Sequence, residues 1–498
     1  MIAPPVVDLT LILPEMIVLG VALLVLMADL WLAPERRGYL VAAGLAGVLA
    51  AAWVAAGAAD GVSFAGMYVR DALTRVGQVV ALAATGLGVL VAPEYLRRYN
   101  LDRGEYYVLV LTAGAGAMLM AAGRDLLMLF LALETLSIPL YVLAAWARGN
   151  TRSQEAGMKY FLLGAFASAF FLYGIALLYG ATGTTRLPDL ASALAQQPAG
   201  ISAAAGVGLL TIGLGFKAAL VPFHAWAPDV YEGAPLPAVA FMSVIAKIGA
   251  FVALLRVFPL ALGALADQWT LVLGVLAALT MIVGNLAALA QSSYKRMLAY
   301  SSIAHAGYLL VGVATATPAS ASAVMTYLAI YAAMGTGAFA VAVALERSGG
   351  EADRIEDYAG LAGRAPLLAA AGALFMISLA GLPPTGGFVA KLGIFAAAIE
   401  TGSVGGLVLA LIGVLTSVIS VYYYMRVAYV MYAGASASAD AGTGSAGAAD
   451  PPGGVRLHAS PLLNLALLIT AGAVVYAGVL PGAVTSFAQQ VGALLSRL

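Results

Sequence analysis

Fourteen long apolar stretches dominate this chain. A helix needs about 20 such residues to cross the hydrocarbon core of a bilayer. The stretches cover roughly 10–33, 39–57, 72–92, 105–122, 125–146, 157–180, 203–230, 235–258, 268–290, 298–316, 320–345, 366–399, 404–432 and 460–481. Inside lipid every backbone polar group must find a partner within the protein, which leaves helices or closed barrels. Strand-like alternation is absent, so an outer-membrane barrel is not the expected fold. The expected fold is all-α, a polytopic membrane protein of about 14 transmembrane helices. Internal Gly and Ala allow those helices to approach closely.

Composition narrows the function classes. Charged residues make up 10% of the 498, against roughly 25% in soluble domains. A water-soluble enzyme and a disordered chain are therefore excluded. The 24 Lys and Arg cancel the 24 Asp and Glu, so no net field attracts nucleic acid. The absence of Cys excludes disulfides, thiolate metal sites and iron–sulfur clusters within the chain. The three His are too scattered for an obvious metal site. Residues 1–10 lack the basic region of a signal peptide, so the first stretch reads as a retained span.

Loop charge sets the orientation. Numbered in order, the odd loops hold 13 basic residues, including Arg97, Arg98, Arg103, Arg148, Lys295 and Arg456. The even loops and the C-terminus hold five: Arg70, Arg124, Arg186, Arg256 and Arg497. Odd loops are then cytoplasmic and both termini face outward. Of the remaining six, Arg75, Lys159 and Arg426 lie near span ends, where long side chains reach the interface. Residues 433–459 are rich in Gly, Ala and Ser and read as a flexible cytoplasmic loop. The short tail after Leu480 reads as interfacial.

Four ionisable residues resist this sorting. Glu134, Lys217 and Lys247 fall at the centres of spans 5, 7 and 8, and Lys391 lies within span 12. At the bilayer centre such groups cost ~2.5–3.5 kcal/mol each, or ~10–14 kcal/mol together, unless they pair or meet water. A buried Glu–Lys pair that only locks helices explains one Lys, not three. Desolvation disfavours a charged ammonium, which makes a midplane lysine a group that loads and releases a proton. The pattern predicts a proton relay, with Glu134 beside Lys217.

Two spans look broken. Pro222 interrupts span 7, and Gly381 to Gly387, with Pro383 and Pro384, interrupts the overlong span 12. Interrupted spans five apart predict two inverted five-helix repeats with broken helices 7 and 12. Secondary candidates for the relay are Lys159, His224 and His305. Glu15 and Asp29 read as interfacial, as do Tyr422-Tyr423-Tyr424 and Arg426.

One run is highly specific: Val221-Pro222-Phe223-His224-Ala225-Trp226-Ala227-Pro228-Asp229-Val230-Tyr231-Glu232-Gly233-Ala234-Pro235. It resembles the signature of the antiporter-like membrane subunits of respiratory complex I. Its second half is similar to the subunit N branch in particular. Glu155 to Phe161, Ala299 to Tyr308 and Gly381 to Lys391 carry the resemblance along nearly the whole chain. It implies a division into a three-helix segment at 1–104, repeats at 105–258 and 259–432, the loop at 433–459, and a last helix and tail at 460–498. It also implies a proton-translocating subunit in the bacterial inner membrane with no redox centre of its own. NADH, FMN, iron–sulfur clusters and quinone then belong to partner subunits, and the partners are the L, M, K, J and A subunits and the lipid bilayer. The implied relay is Glu134, Lys217, Lys247 and Lys391. A Lys at 391 departs from the Glu typical of the M branch, and the long lateral helix of the L branch is missing. The alternatives are a subunit of a multi-subunit cation/proton antiporter and a purely structural membrane subunit.

Overall fold

The computed structural model describes residues 7–196, 200–347, 350–433, 455–458 and 460–495. The chain folds as α1 (Leu13–Asp29), α2 (Gly38–Gly57), α3 (Ala72–Arg98), α4 (Gly104–Ala122), α5 (Leu126–Ala144), α6 (Thr151–Thr182), α7 (Leu187–Gln196) and α8 (Ile201–Ala218). It continues through α9 (Trp226–Gly233), α10 (Leu236–Ala261), α11 (Ala266–Leu289), α12 (Tyr294–Thr315), α13 (Pro318–Val343) and α14 (Leu361–Arg364). It ends with α15 (Pro366–Ala380), α16 (Gly386–Glu400), α17 (Val404–Ala433), α18 (Pro461–Val479) and α19 (Gly482–Leu495). Among the described residues, 12 helices are long and apolar enough to cross a membrane. The first predicted span holds the 17-residue α1, and the twelfth is divided into α15 and α16, of 15 residues each.

Burial orders these helices. A helix that is apolar all round belongs in the interior, and α10, α12 and α13 are each buried along nearly all of their length. Only a minority of α6, α17 and α18 is buried. Small residues allow the closest crossings. A Cβ on Gly116 of α4 would lie 2.4 Å from the Leu136 backbone nitrogen of α5. One on Gly284 of α11 would lie 2.7 Å from the Ala304 nitrogen of α12.

The loops add two small antiparallel sheets to the expected all-α fold. β1 (Gly61–Ser63) pairs with β2 (Tyr68–Arg70). β3 (Leu345–Arg347) pairs with both β4 (Gly350–Glu351) and β5 (Val455–Leu457). The end of the predicted 433–459 loop is thus a strand, while 434–454 lie outside the described residues. The tail forms α19, which packs on α13 and α3.

Three charges differ from their sequence reading. Glu15 is not interfacial: it is 1% exposed and accepts from Gln78 Nε2 at 2.6 Å and the Tyr68 hydroxyl at 3.2 Å. Arg70 is buried beside it and donates to Gln78 Oε1 at 3.1 Å. Arg256 lies inside α10, where both its terminal nitrogens donate to Asp71 at 2.8 Å. A short connection places these groups next to helix ends whose free backbone groups they satisfy, as Arg256 does at the Ala121 carbonyl.

Candidate functional site: a chain of buried lysines

The first break is built from local chemistry. Ala219 ends α8 in the left-handed region at φ 58°, a conformation that costs an L-residue energy and stops a helix. Residues 219–225 are non-helical and contain Pro222. The backbone freed there is satisfied by other side chains, as membrane burial demands. Trp226 Nε1 donates to the Phe216 carbonyl at 3.0 Å, and the Val221 amide donates to Thr280 Oγ1 at 3.0 Å. The second break follows Ala380. Gly381 takes φ 82°, which glycine adopts freely, and Pro383 and Pro384 precede α16.

Lys217 sits one residue before the end of α8. Its Nζ donates to Ser137 Oγ at 2.9 Å and to the Tyr160 hydroxyl at 3.3 Å. The Tyr141 and Tyr160 rings stand 5.6 and 5.3 Å away. Glu134 is not its direct partner. That carboxylate is half-buried on α5 and accepts from Ser168 of α6. One helical turn separates it from Ser137, so Lys217 meets a hydroxyl where a carboxylate was expected.

Lys247 lies in the middle of the buried α10 and donates to Ser302 of α12. Ser302 also receives the Tyr331 hydroxyl at 3.0 Å, and the Tyr231 hydroxyl lies 3.4 Å from it. Aromatic packing joins this group to the first. Trp226 stacks on Tyr160 at 4.3 Å and meets Tyr231 edge-on at 6.3 Å.

Lys391, on α16, reaches back over the second break and donates to the Ala380 carbonyl at 2.9 Å. It satisfies the last carbonyl of α15, beyond those already met by the Gly381 and Leu382 amides. Its Nζ stands 4.9 Å from the centre of the Tyr308 ring.

His305 lies between the last two lysines. Its Nδ1 is 2.6 Å from the Tyr327 hydroxyl and its Nε2 is 3.2 Å from the Tyr424 hydroxyl. Ser302, His305 and Tyr308 follow at i, i+3 and i+6, so they form one stripe along α12. That stripe runs from the Lys247 contact to the Lys391 contact.

The structure separates the other candidates from this chain of groups. His224 lies in the first break with Nδ1 buried and unpartnered among the described residues. Lys159 is 42% exposed and pairs with Glu155 at 2.7 Å and Asp229 at 2.9 Å. Arg296 shares Asp229 at 3.0 Å and holds Glu232 at 2.8 Å. An exposed pair of this kind is worth ~0–1 kcal/mol. A Lys159→Met variant is therefore expected to unfold within ~1 kcal/mol of the parent and to transport protons within about twofold of it. Thermal unfolding and proton uptake by vesicles measure the two. A tenfold loss of transport with normal stability would place Lys159 back in the relay.

Sequence reasoning missed the hydroxyls and rings: Ser137, Tyr160, Ser302, Tyr308, Tyr331 and Tyr424. Tyr423 and Tyr424, expected in an interfacial belt, are both buried. Tyr423 donates to Asn285 Oδ1 at 3.1 Å. The spacing of Ser302, His305 and Tyr308 was the one signal available. Among the described residues, no three His, Asp or Glu converge to hold a metal.

Comparison with known proteins decides the family. A family model described as NADH:quinone oxidoreductase/Mrp antiporter, TM, matches residues 123–420. NADH-quinone oxidoreductase subunit N of Trichlorobacter lovleyi is 43% identical over 494 residues, 97% of each chain. The chain belongs to the subunit N family. The subunit N protein of Chloroflexus aggregans is 45% identical over 443 residues, 86% of this chain and 88% of that one. A chain of respiratory complex I from Thermus thermophilus, solved with bound aureothin, superposes with TM-score 0.77 at 38% identity, over 95% of this chain and 98% of that one. A chain of the Mrp complex from Dietzia sp. DQ12-45-1b shares the fold, with TM-score 0.79 at 24% identity, over 98% of each chain. All the buried lysines of this subunit N family member lie within the matched region.

Proposed function

We propose that this chain is a proton-translocating membrane subunit of NADH–quinone oxidoreductase. It couples electron transfer from NADH to quinone, carried out in other subunits, to proton movement across the bilayer. The observation that carries the reading is the series of three buried lysines, Lys217, Lys247 and Lys391, that have no ion pair among the described residues of a subunit N family member. NADH, FMN, the iron–sulfur clusters and quinone reside in partner subunits, and the L, M, K, J and A membrane subunits are its neighbours. The chain crosses a bacterial inner membrane 14 times, with odd loops cytoplasmic and both termini outside. Residues 105–258 and 259–432 form the two inverted repeats, supported by the paired breaks after Ala218 and Ala380.

Each lysine has a defined task. Lys217 takes a proton and holds it against Ser137 and the two tyrosine rings. Glu134, one turn away along α5, biases that charge from a distance. Trp226 and Tyr231 carry no proton between Lys217 and Lys247, so transfer needs water beside these rings, and the hydroxyl that meets Lys247 is Ser302. His305 has a hydroxyl on each ring nitrogen, so it accepts on one side and donates on the other. Lys391 is the terminal group, and its position beside the second break exposes its charge to any movement of α15 against α16.

Affinity purification of the tagged native chain tests the assignment. The expected product oxidises NADH with quinone, contains flavin and iron–sulfur clusters, and acidifies or alkalises vesicles in step with electron transfer. A stable assembly that lacks flavin and iron–sulfur protein but exchanges cations for protons would overturn it in favour of the antiporter reading.

A further inference from the structure

The three lysines differ in what holds their charge. Lys217 has two hydroxyl partners and Lys247 has one. Among the described residues, Lys391 has a single hydrogen bond, to the Ala380 carbonyl, and no ion pair. Its other neighbour is the face of Tyr308 at 4.9 Å, the shortest of the lysine–ring distances here. A ring face carries negative electrostatic potential and attracts an ammonium, most strongly where water is excluded. Lys391 is only 5% exposed.

The ring is held for this task. Its hydroxyl accepts from Asn285 Nδ2 at 3.0 Å. Its sides meet Phe395 and His305 edge-on, at 5.9 and 5.8 Å. Asn285 is fully buried, and its amide is fixed in turn by the Met281 carbonyl at 2.7 Å and by Tyr423. Three helices, α11, α12 and α16, thus lock the ring under the ammonium.

We propose that the Tyr308 ring face is the counter-charge for protonated Lys391, which makes Tyr308 a positioning residue for the terminal proton carrier. The proposal rests on the proton-carrying reading of Lys391. The edge-on contacts with Phe395 and His305 suffice to hold the ring once the hydroxyl is removed, and the π-face stabilises the charge. A carboxylate there would trap the proton, whereas a ring holds it weakly enough to be released.

The test is proton pumping by the intact complex in vesicles, at matched levels of assembled protein. Tyr308→Phe keeps the ring face and is expected to pump within about twofold of the parent. Phenylalanines bearing one, two and three ring fluorines, placed at 308, keep nearly the same shape while draining the face of negative potential. Pumping is expected to fall stepwise, by about 5- to 30-fold over the series. A packing role would give a flat series, and a flat series overturns the proposal, as does failure of Tyr308→Phe in a properly assembled complex. Lys391→Met tests the underlying reading separately. If it abolishes pumping while the fluorine series is flat, only the role of Tyr308 falls. If Lys391→Met pumps normally, the relay reading of Lys391 falls with it.

Discussion

Lys217→Met lowers proton pumping by about tenfold or more, a rate loss equivalent to about 1.4 kcal/mol or more of barrier. Met keeps roughly the length and the apolar stem of Lys and removes the charge together with its two hydrogen bonds, to Ser137 and Tyr160. The variant therefore removes a buried ammonium without leaving an unpaired partner carboxylate, since Ser137 and Tyr160 are neutral. Ser137 remains satisfied because its hydroxyl donates to the Leu133 carbonyl at 2.5 Å. Assembly should thus survive, and the loss should appear in vesicles while the complex still oxidises NADH with a soluble electron acceptor. Pumping at the parental rate by a fully assembled Lys217→Met complex would remove Lys217 from the relay. Lys217→Arg sharpens the result. Arg stays charged under all ordinary conditions, so a residue needed only for its charge tolerates the change, and one that must release a proton does not.

The second large effect is expected at Gly387, the second residue of α16. A Cβ there would stand 1.7 Å from the Ser378 carbonyl oxygen, far inside van der Waals contact. The Gly387 amide also donates to Ser378 Oγ at 3.1 Å, so the end of α15 and the start of α16 are tied backbone to side chain. Overpacking a tight core costs typically 1–3 kcal/mol, and a clash with fixed backbone belongs at or above the top of that range. Gly387→Ala is expected to lower thermal stability or assembly of the complex measurably, and to displace Lys391 from the Ala380 carbonyl. The neighbouring Gly393, whose Cβ would meet only the Ala323 side chain at 3.7 Å, is the control. Equal stability of the two alanine variants would show that the break is not packed as described.

The lysines were legible in the sequence because charge is scarce there. Each of Lys217, Lys247 and Lys391 stands inside an apolar stretch, and depth alone singled them out. The broken helices were legible through Pro222, Pro383 and Pro384, whose missing amide protons interrupt any helix. Their polar partners were not legible. The chain has 23 Tyr, and nothing local marks Tyr308 or Tyr160 as different from a lipid-facing ring. Tyr422 is 65% exposed while its neighbour Tyr424 is fully buried against His305 and Ser301. That contrast is set by the rotation of α17 against α12, a tertiary property. Glu15 was misread for the same reason: its place near a helix end was visible, but the Tyr68 and Gln78 side chains that enclose it come from a distant hairpin and helix. That Lys217 meets Ser137 and not Glu134, one turn away on the same face of α5, likewise depends on the level at which α8 crosses α5.

The surroundings of the three ammonium groups also decide which ion can travel between them. A bare alkali cation exchanges its hydration shell only for several converging oxygen donors, preferably anionic ones. Along α12 it would find single hydroxyls, one carbonyl, ring faces and, ahead of each of these, a lysine of its own sign. The same stripe presents no such obstacle to a proton, which needs only one lone pair at a time. On the proposed relay reading, selectivity against sodium and potassium follows from building the route from bases that become cations when occupied. Such a route would exclude competing ions by electrostatic repulsion, without a narrow pore.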